Sequence, residues 1–477
     1  MKSRWLVLLV LVAMLVGMFG VPTPVSASAY TTKFITSITY QNISNTNTPI
    51  DFIFYASDGT QIPLSRPDLA PFAASALYVG EVGGLGASFK GAGVLISEQP
   101  VAATLVQVPQ SSSVKNRPMS VGFNAGANYV LVPTVLKGTF GYNSIFTVQN
   151  VSDTPVDITV TFVPVSGSPV VYSIDGLPAG AAKYFDMGTD VIPGIGDTFN
   201  GAVTLDSTGP IVATSIELQT TGALNYAFEG VNQGSTTVYV PSALCKYNNA
   251  DASYAIQNSG TVELTNVHIE LKSSVSSYTK TYDLGSLAVG AKVGFNNCGS
   301  AEDPVPNGFV GSAVITATSA SGTPEIVVVG KVFGGGLSTA FVGFDQGYQT
   351  LALPYVRWTT DHWSDGTRQR TFIAIQNIGP DITGDIVVNF VGRDGTIVCH
   401  KTLTYTASNP LVSGGKAAVN PSDGGALCAE FGYYIDGFGG GAVIHGPAGS
   451  QLVAIARVQT KFGTGSVGED YGAVFVP

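Results

Sequence analysis

Four cysteines and four histidines are the residues in this 477-residue chain best suited to nucleophilic or metal chemistry. Cys245, Cys298, Cys399 and Cys428 contain no close Cys pair, and His400 beside Cys399 has no clustered second set of ligands, so a zinc site is not encoded. A reactive thiol needs cationic or helix-terminal neighbours, and none is identifiable around these four. Disulfides are the remaining use. Four cysteines allow three connectivities, of which Cys245–Cys298 and Cys399–Cys428 is the expected one. His268, His362, His400 and His445 fall in different sequence contexts, and no nucleophile elbow or other triad signature accompanies them. Acids such as Asp345 and Asp470 lie mostly in turns, and a glycosidase pair would need a proximity that sequence does not specify. Glu302-Asp303 and Asp361 to Asp365 lack the spacing of a calcium loop. The expectation is a protein that is not an enzyme, with no catalytic, metal or cofactor residue.

Binding chemistry has one candidate, the run from Tyr355 to Trp363 that holds two of the three tryptophans. Arg357, Trp358 and Trp363 are the residue types of a platform for a glycan or a cell-surface protein. The competing expectation is that they cover a contact between neighbouring units.

These residues sit on a repeating frame. A Gln-Asn pair closes an alternating apolar run at Gln41, Gln149, Gln257 and Gln376, at intervals of 108, 108 and 119 residues. Phe-x-Gly recurs at Phe89, Phe199, Phe309 and Phe438, and an apolar segment ending in proline at Pro133, Pro241, Pro354 and Pro477. Strands of period two, such as Ile158-Thr159-Val160-Thr161-Phe162, follow each Gln-Asn pair and predict one buried and one solvated face. The side chains of the pair are expected to hold turn backbone, and the Phe-x-Gly glycine to admit a neighbouring backbone. No helical period survives the Gly and Pro interruptions. The fold class is all-β, with four tandem immunoglobulin-like β-sandwiches at 30–128, 129–237, 238–350 and 351–477.

The chain opens with Lys2 and Arg4, an apolar run from Trp5 to Val21, and Ala27-Ser28-Ala29, which reads as a signal peptide over 1–29. No later stretch has spanning length, so the expected mature protein is secreted or at the cell surface without a transmembrane anchor. A net charge of −10 and the lack of clustered Lys and Arg argue against nucleic acid as a partner. Only 11% of residues are charged, which suits packing against other protein.

The pattern, clearest in Ile256-Gln257-Asn258 and Phe309-Val310-Gly311-Ser312-Ala313-Val314, resembles the tandem immunoglobulin-like repeats of secreted bacterial surface proteins. The resemblance covers nearly all of the mature chain and implies a stalk, an adhesin, a surface-layer or filament component, or a spacer. The expected function is structural or adhesive, with the units arranged as a rod; whether the rod is straight or folded back is open.

The ends do not match the middle. Sixteen positions separate Pro133 from Gln149 and Pro241 from Gln257, but only 11 separate Tyr30 from Gln41, with no proline-ended strand between them. If such strands open the following unit, the first unit lacks one, and Ala473, Val474, Phe475, Val476 and Pro477 form a surplus strand available for head-to-tail self-association. The alternative is that each proline-ended segment closes its own unit.

Overall fold

The computed structural model describes residues 33–476 except 87, 111–115, 221–223, 300–302, 361–367, 435–436 and 463–464. The signal segment, Trp363 and Pro477 therefore lie outside the described residues. What is described is nearly all β, with three short 3-10 turns at Val79–Glu81, Pro421–Gly424 and Ala426–Cys428. None of its helices is long and apolar enough to cross a membrane.

Alternation does what it predicts. In Thr48–Tyr55 the side chains of Ile50, Phe52 and Phe54 face inward, and in Val156–Pro164 those of Val156, Ile158, Val160 and Phe162 do. One strand order recurs along the chain. In the third unit one sheet joins Thr237–Cys245, Phe309–Ser319, Leu264–Ser273 and Thr279–Asp283, and the other joins Lys292–Asn296, Ala250–Asn258, Ile326–Gly334 and Leu337–Val342. The fourth unit has the same order. In the second, the single strand Phe199–Gln219 runs through both faces, irregular between Asp206 and Ile211.

The Gln-Asn pairs are buried clamps. Asn150 Nδ2 donates to the carbonyls of Thr154, Leu177 and Pro178 at 2.7, 3.0 and 3.1 Å, while its Oδ1 accepts the Ser152 N–H at 2.8 Å. Asn42 makes the same set, and Asn258 and Asn377 each hold two carbonyls and one N–H. The preceding glutamine holds a further carbonyl, as Gln376 does that of Gly414 at 3.0 Å. Carboxamides suit this position because one group both donates and accepts.

The Phe-x-Gly glycines admit a backbone. A Cβ on Gly201 would stand 2.2 Å from the Val163 carbonyl oxygen, and one on Gly311 would stand 1.9 Å from that of Lys272. The aromatic fills the end of the core, with Phe199 edge-on to Phe162 at 5.8 Å.

Cys245 bonds Cys298 and Cys399 bonds Cys428, each pair inside one unit. Such bonds fit an oxidising compartment. The Cys399–Cys428 bond closes a span of 29 residues, for which the chain-entropy relation gives about 4 kcal/mol. Replacing both cysteines with serine is therefore expected to lower the urea midpoint of the fourth unit. An unchanged midpoint would show that Pro421–Gly424 and its neighbours hold that loop unaided.

The units are not a rod. The core of the second takes in Val329 and Ala340 of the third, that of the third takes in Ile455 of the fourth, and that of the fourth takes in Val106 and Met119 of the first. Tyr184 of the second unit donates its hydroxyl to the Gly91 carbonyl of the first. The chain thus folds back until its first and fourth units meet, which tandem order alone does not specify.

Candidate functional site

Where the units meet, four short strands converge: Met119–Val121, Asn225–Glu229, Leu337–Val342 and Gly465–Gly472. Their polar groups form a closed circuit. Ser338 Oγ donates to the Asn225 carbonyl at 2.9 Å, and the Asn225 N–H donates to Asn116 Oδ1 at 2.9 Å. Asn116 Nδ2 reaches Glu469 Oε1 at 3.2 Å, and Thr339 Oγ1 returns to Asp470 at 2.6 Å. Asp470 is also gripped by Arg457 at 2.8 and 2.7 Å. The crevice between these strands is too narrow to admit a water molecule.

Burial sets the protonation of this centre. Glu469 is 3% exposed, and desolvation pushes its carboxyl up to about 8, against the opposing pull of the Arg117 N–H. Glu229, which accepts the Val121 N–H at 2.6 Å, is pushed up to about 6 by the same cause. Between the second and third units Lys331 meets Glu217 at 2.6 Å, and Lys292 donates to Asn200 at 2.8 Å and Thr134 at 3.1 Å. Burial brings Lys292 down to about 7. None of these groups had a local sequence signal.

The expected platform is not on the surface. Arg357 is fully buried, its Nη1 donating to the carbonyls of Val356, Gly439 and Gly440 at 2.8, 2.8 and 2.9 Å. Trp358 is 8% exposed and bridged through its backbone to Arg370 and Phe431, inside the fourth unit's core. A run of aromatics beside an arginine reads alike in sequence whether it lines a surface or a core.

Among the described histidines, His268 lies in the third unit against Asp283 at 2.9 Å, and His400 and His445 are exposed in the fourth. His362 and Glu302 lie outside the described residues, and Asp303 pairs with Lys280.

The proline-ended segments pair forward. Ala127–Lys137 lies on Phe199–Gln219, Thr237–Cys245 on Phe309–Ser319, and Thr350–Leu353 on Gly441–His445. Each supplies the opening strand of the following unit. The residue before the proline takes one fixed register, with Val132 opposite Val203, Val240 opposite Ala313 and Leu353 opposite Ala442. A second grip comes from the far sheet, where Leu131 bridges Val231 and Tyr239 bridges Phe344.

The first unit lacks this strand among the described residues. Its Phe-x-Gly strand Ala92–Ser97 pairs with Thr48–Tyr55 alone. Phe123, which follows Gly122 as Val231 follows Gly230, has no bridge among the described residues and is 38% exposed. No family model matches the sequence, and comparison with curated proteins found no relative.

The segment expected to be surplus is engaged within its own chain. Val474 and Phe475 pair with Ala352 and Leu351, which puts Val474 in the place that Val231 and Phe344 hold in their units. Val474 and Val476 also pack against Ile43 and Ala102 of the first unit. The resemblance of this segment to an opening strand lies in its residue types, while its spacing differs. Proline follows the bridging residue by ten positions at Val231 and Phe344 and by three at Val474.

Proposed function

We propose that this chain is a non-enzymatic extracellular structural or adhesive protein, built from four immunoglobulin-like sandwiches joined in a closed circuit, and that it associates with further copies of itself. The observation that supports this reading most is where the ionisable side chains go: Glu217, Lys292 and Lys331 join the second unit to the third, Asp470 joins the third to the fourth, and Glu469 joins the fourth to the first. A body of this kind presents fixed surfaces and, among the described residues, a strand position that is unfilled. Light scattering and negative-stain microscopy of the chain from Tyr30 onward test it. Concentration-dependent assembly of compact particles is expected; particles that stay monomeric at every concentration would overturn self-association.

A second reading, glycan binding, is favoured by one feature. A crevice of about 360 Å³ on the second unit is lined by Tyr129, Asp157, Asp175 and Asp206 with serine and threonine hydroxyls, a mixture that suits sugar rings and their hydroxyl groups. Saturable glycan binding by a monomeric protein would move the function there.

A further inference from the structure

Among the described residues the first unit has a strand position that nothing fills, and the other three units show what kind of strand fills it there. In each of them a strand of alternating apolar residues ending in proline lies between the Phe-x-Gly strand and the far-sheet bridge: Val130-Leu131-Val132-Pro133, Val238-Tyr239-Val240-Pro241 and Leu351-Ala352-Leu353-Pro354. Val132, Val240 and Leu353 are fully buried there. In the first unit both walls are present, the Ala92–Ser97 edge and Phe123.

That edge lacks the features by which exposed strands avoid pairing. Ala92-Gly93-Val94-Leu95-Ile96-Ser97 has no charge and no proline, and Ile96 is 45% exposed. Its residue types suit a strand that is covered.

The C-terminal segment is of the filling type. Val474-Phe475-Val476-Pro477 matches Val238-Tyr239-Val240-Pro241 position by position, with an aromatic ring between two valines before the proline. In its own chain it is held by two ladder pairs, by the Ala473 N–H to the Ala454 carbonyl at 2.8 Å and the Val476 N–H to the Thr350 carbonyl at 3.2 Å, and by the packing of Val474 and Val476 on Ile43 and Ala102. Phe475 rests on Tyr348 with 40% of its surface exposed.

Resting on the reading of a self-associating structural protein, we propose that the C-terminal strand Ala473–Val476 of a second copy inserts as the opening strand that the first unit lacks among the described residues, between Ala92–Ser97 and Phe123. The internal register fixes the alignment. The residue before the proline lies opposite the fourth residue after the Phe-x-Gly phenylalanine, so Val476 meets Gly93, Phe475 meets Val94 and Val474 meets Leu95. Val474 and Val476 then enter the core beside Phe54 and Leu95, and Phe475 faces outward as Tyr239 does. The slot offers more backbone pairing than the segment has at home, and the contact is head to tail, so it propagates.

The register gives the test. In the full chain from Tyr30, Val94→Cys combined with Phe475→Cys places two thiols directly across a strand pair, within reach of a disulfide. Non-reducing electrophoresis is expected to show a ladder of linked dimers and longer species for the double variant and none for either single variant. A synthetic peptide covering 472–477 in hundredfold excess should reduce the ladder at least tenfold. Ile96→Lys leaves the C-terminal segment untouched and should abolish association. Self-association that persists in Ile96→Lys, or a double variant that gives no ladder, overturns strand insertion while leaving structural assembly standing. Peptide binding by a protein that never self-associates overturns assembly and leaves the strand slot in place as a site for another chain.

Discussion

Replacing Asn150 with alanine will lower the stability of the second unit by about 4 kcal/mol, and replacing it with aspartate will lower it further. The amide nitrogen of Asn150 is shared among three carbonyls, and its oxygen holds the Ser152 N–H and hydroxyl at 2.8 and 2.7 Å, all with no exposure of the residue itself. Alanine leaves buried acceptors without a donor, at about 1–3 kcal/mol for each group left unsatisfied. Aspartate keeps the shape but turns a second oxygen toward three carbonyl oxygens and buries a charge. Urea unfolding followed by circular dichroism should give midpoints in the order Asn above Ala above Asp. An aspartate variant as stable as the alanine one would mean that the three carbonyls are not held by the side chain.

Glu469→Gln will remove most of the loss of stability that the wild-type protein shows between pH 5 and pH 8. In the folded chain the Glu469 carboxyl is raised to about 8 because burial disfavours the anion, whereas in the unfolded chain it sits near the ordinary value of about 4.5. Between those values the native state holds the proton more tightly than the unfolded state, so stability falls as pH rises. The contribution is complete below about pH 4.5 and gone above about pH 8, with a span on the order of 5 kcal/mol. Glutamine keeps an oxygen for Asn116 Nδ2 and the Arg117 N–H without a charge to desolvate.

Glu229 has the same sign over a narrower window that closes near pH 6. Lys292 has the opposite sign. Its folded value is lowered to about 7, so its contribution is present above the ordinary lysine value and is lost as pH falls through about 7. The difference between wild type and variant isolates Glu469 from both. Equal losses in the two proteins between pH 5 and pH 8 would show that this carboxyl is solvated and that the meeting point of the units is open to water.

Much of the architecture was legible because it is local. Period-two alternation assigned Ile50, Phe52 and Phe54 to the core, since successive side chains of a strand face opposite ways. The Gln-Asn pair announced a clamp because an amide four residues from the Thr154 carbonyl meets it inside a single turn. The pairing of the cysteines followed their segregation into two units.

Other features needed contacts that no sequence window contains. The burial of Arg357 depends on Gly439 and Gly440, 82 and 83 residues away. The engagement of Val474 depends on Ala352, and proline following an apolar run does not say which sheet receives it. The folding back of the chain onto its beginning depends on Asn116 and Glu469, separated by 353 positions, and on which faces remain apolar once each sandwich has formed. The sequence by itself therefore determined the strands, their inward faces and their clamps, because these follow from neighbouring residues. Only the tertiary structure decided how the units close on one another and which sheet receives the C-terminal segment, because both depend on surfaces that exist only after the sheets have paired.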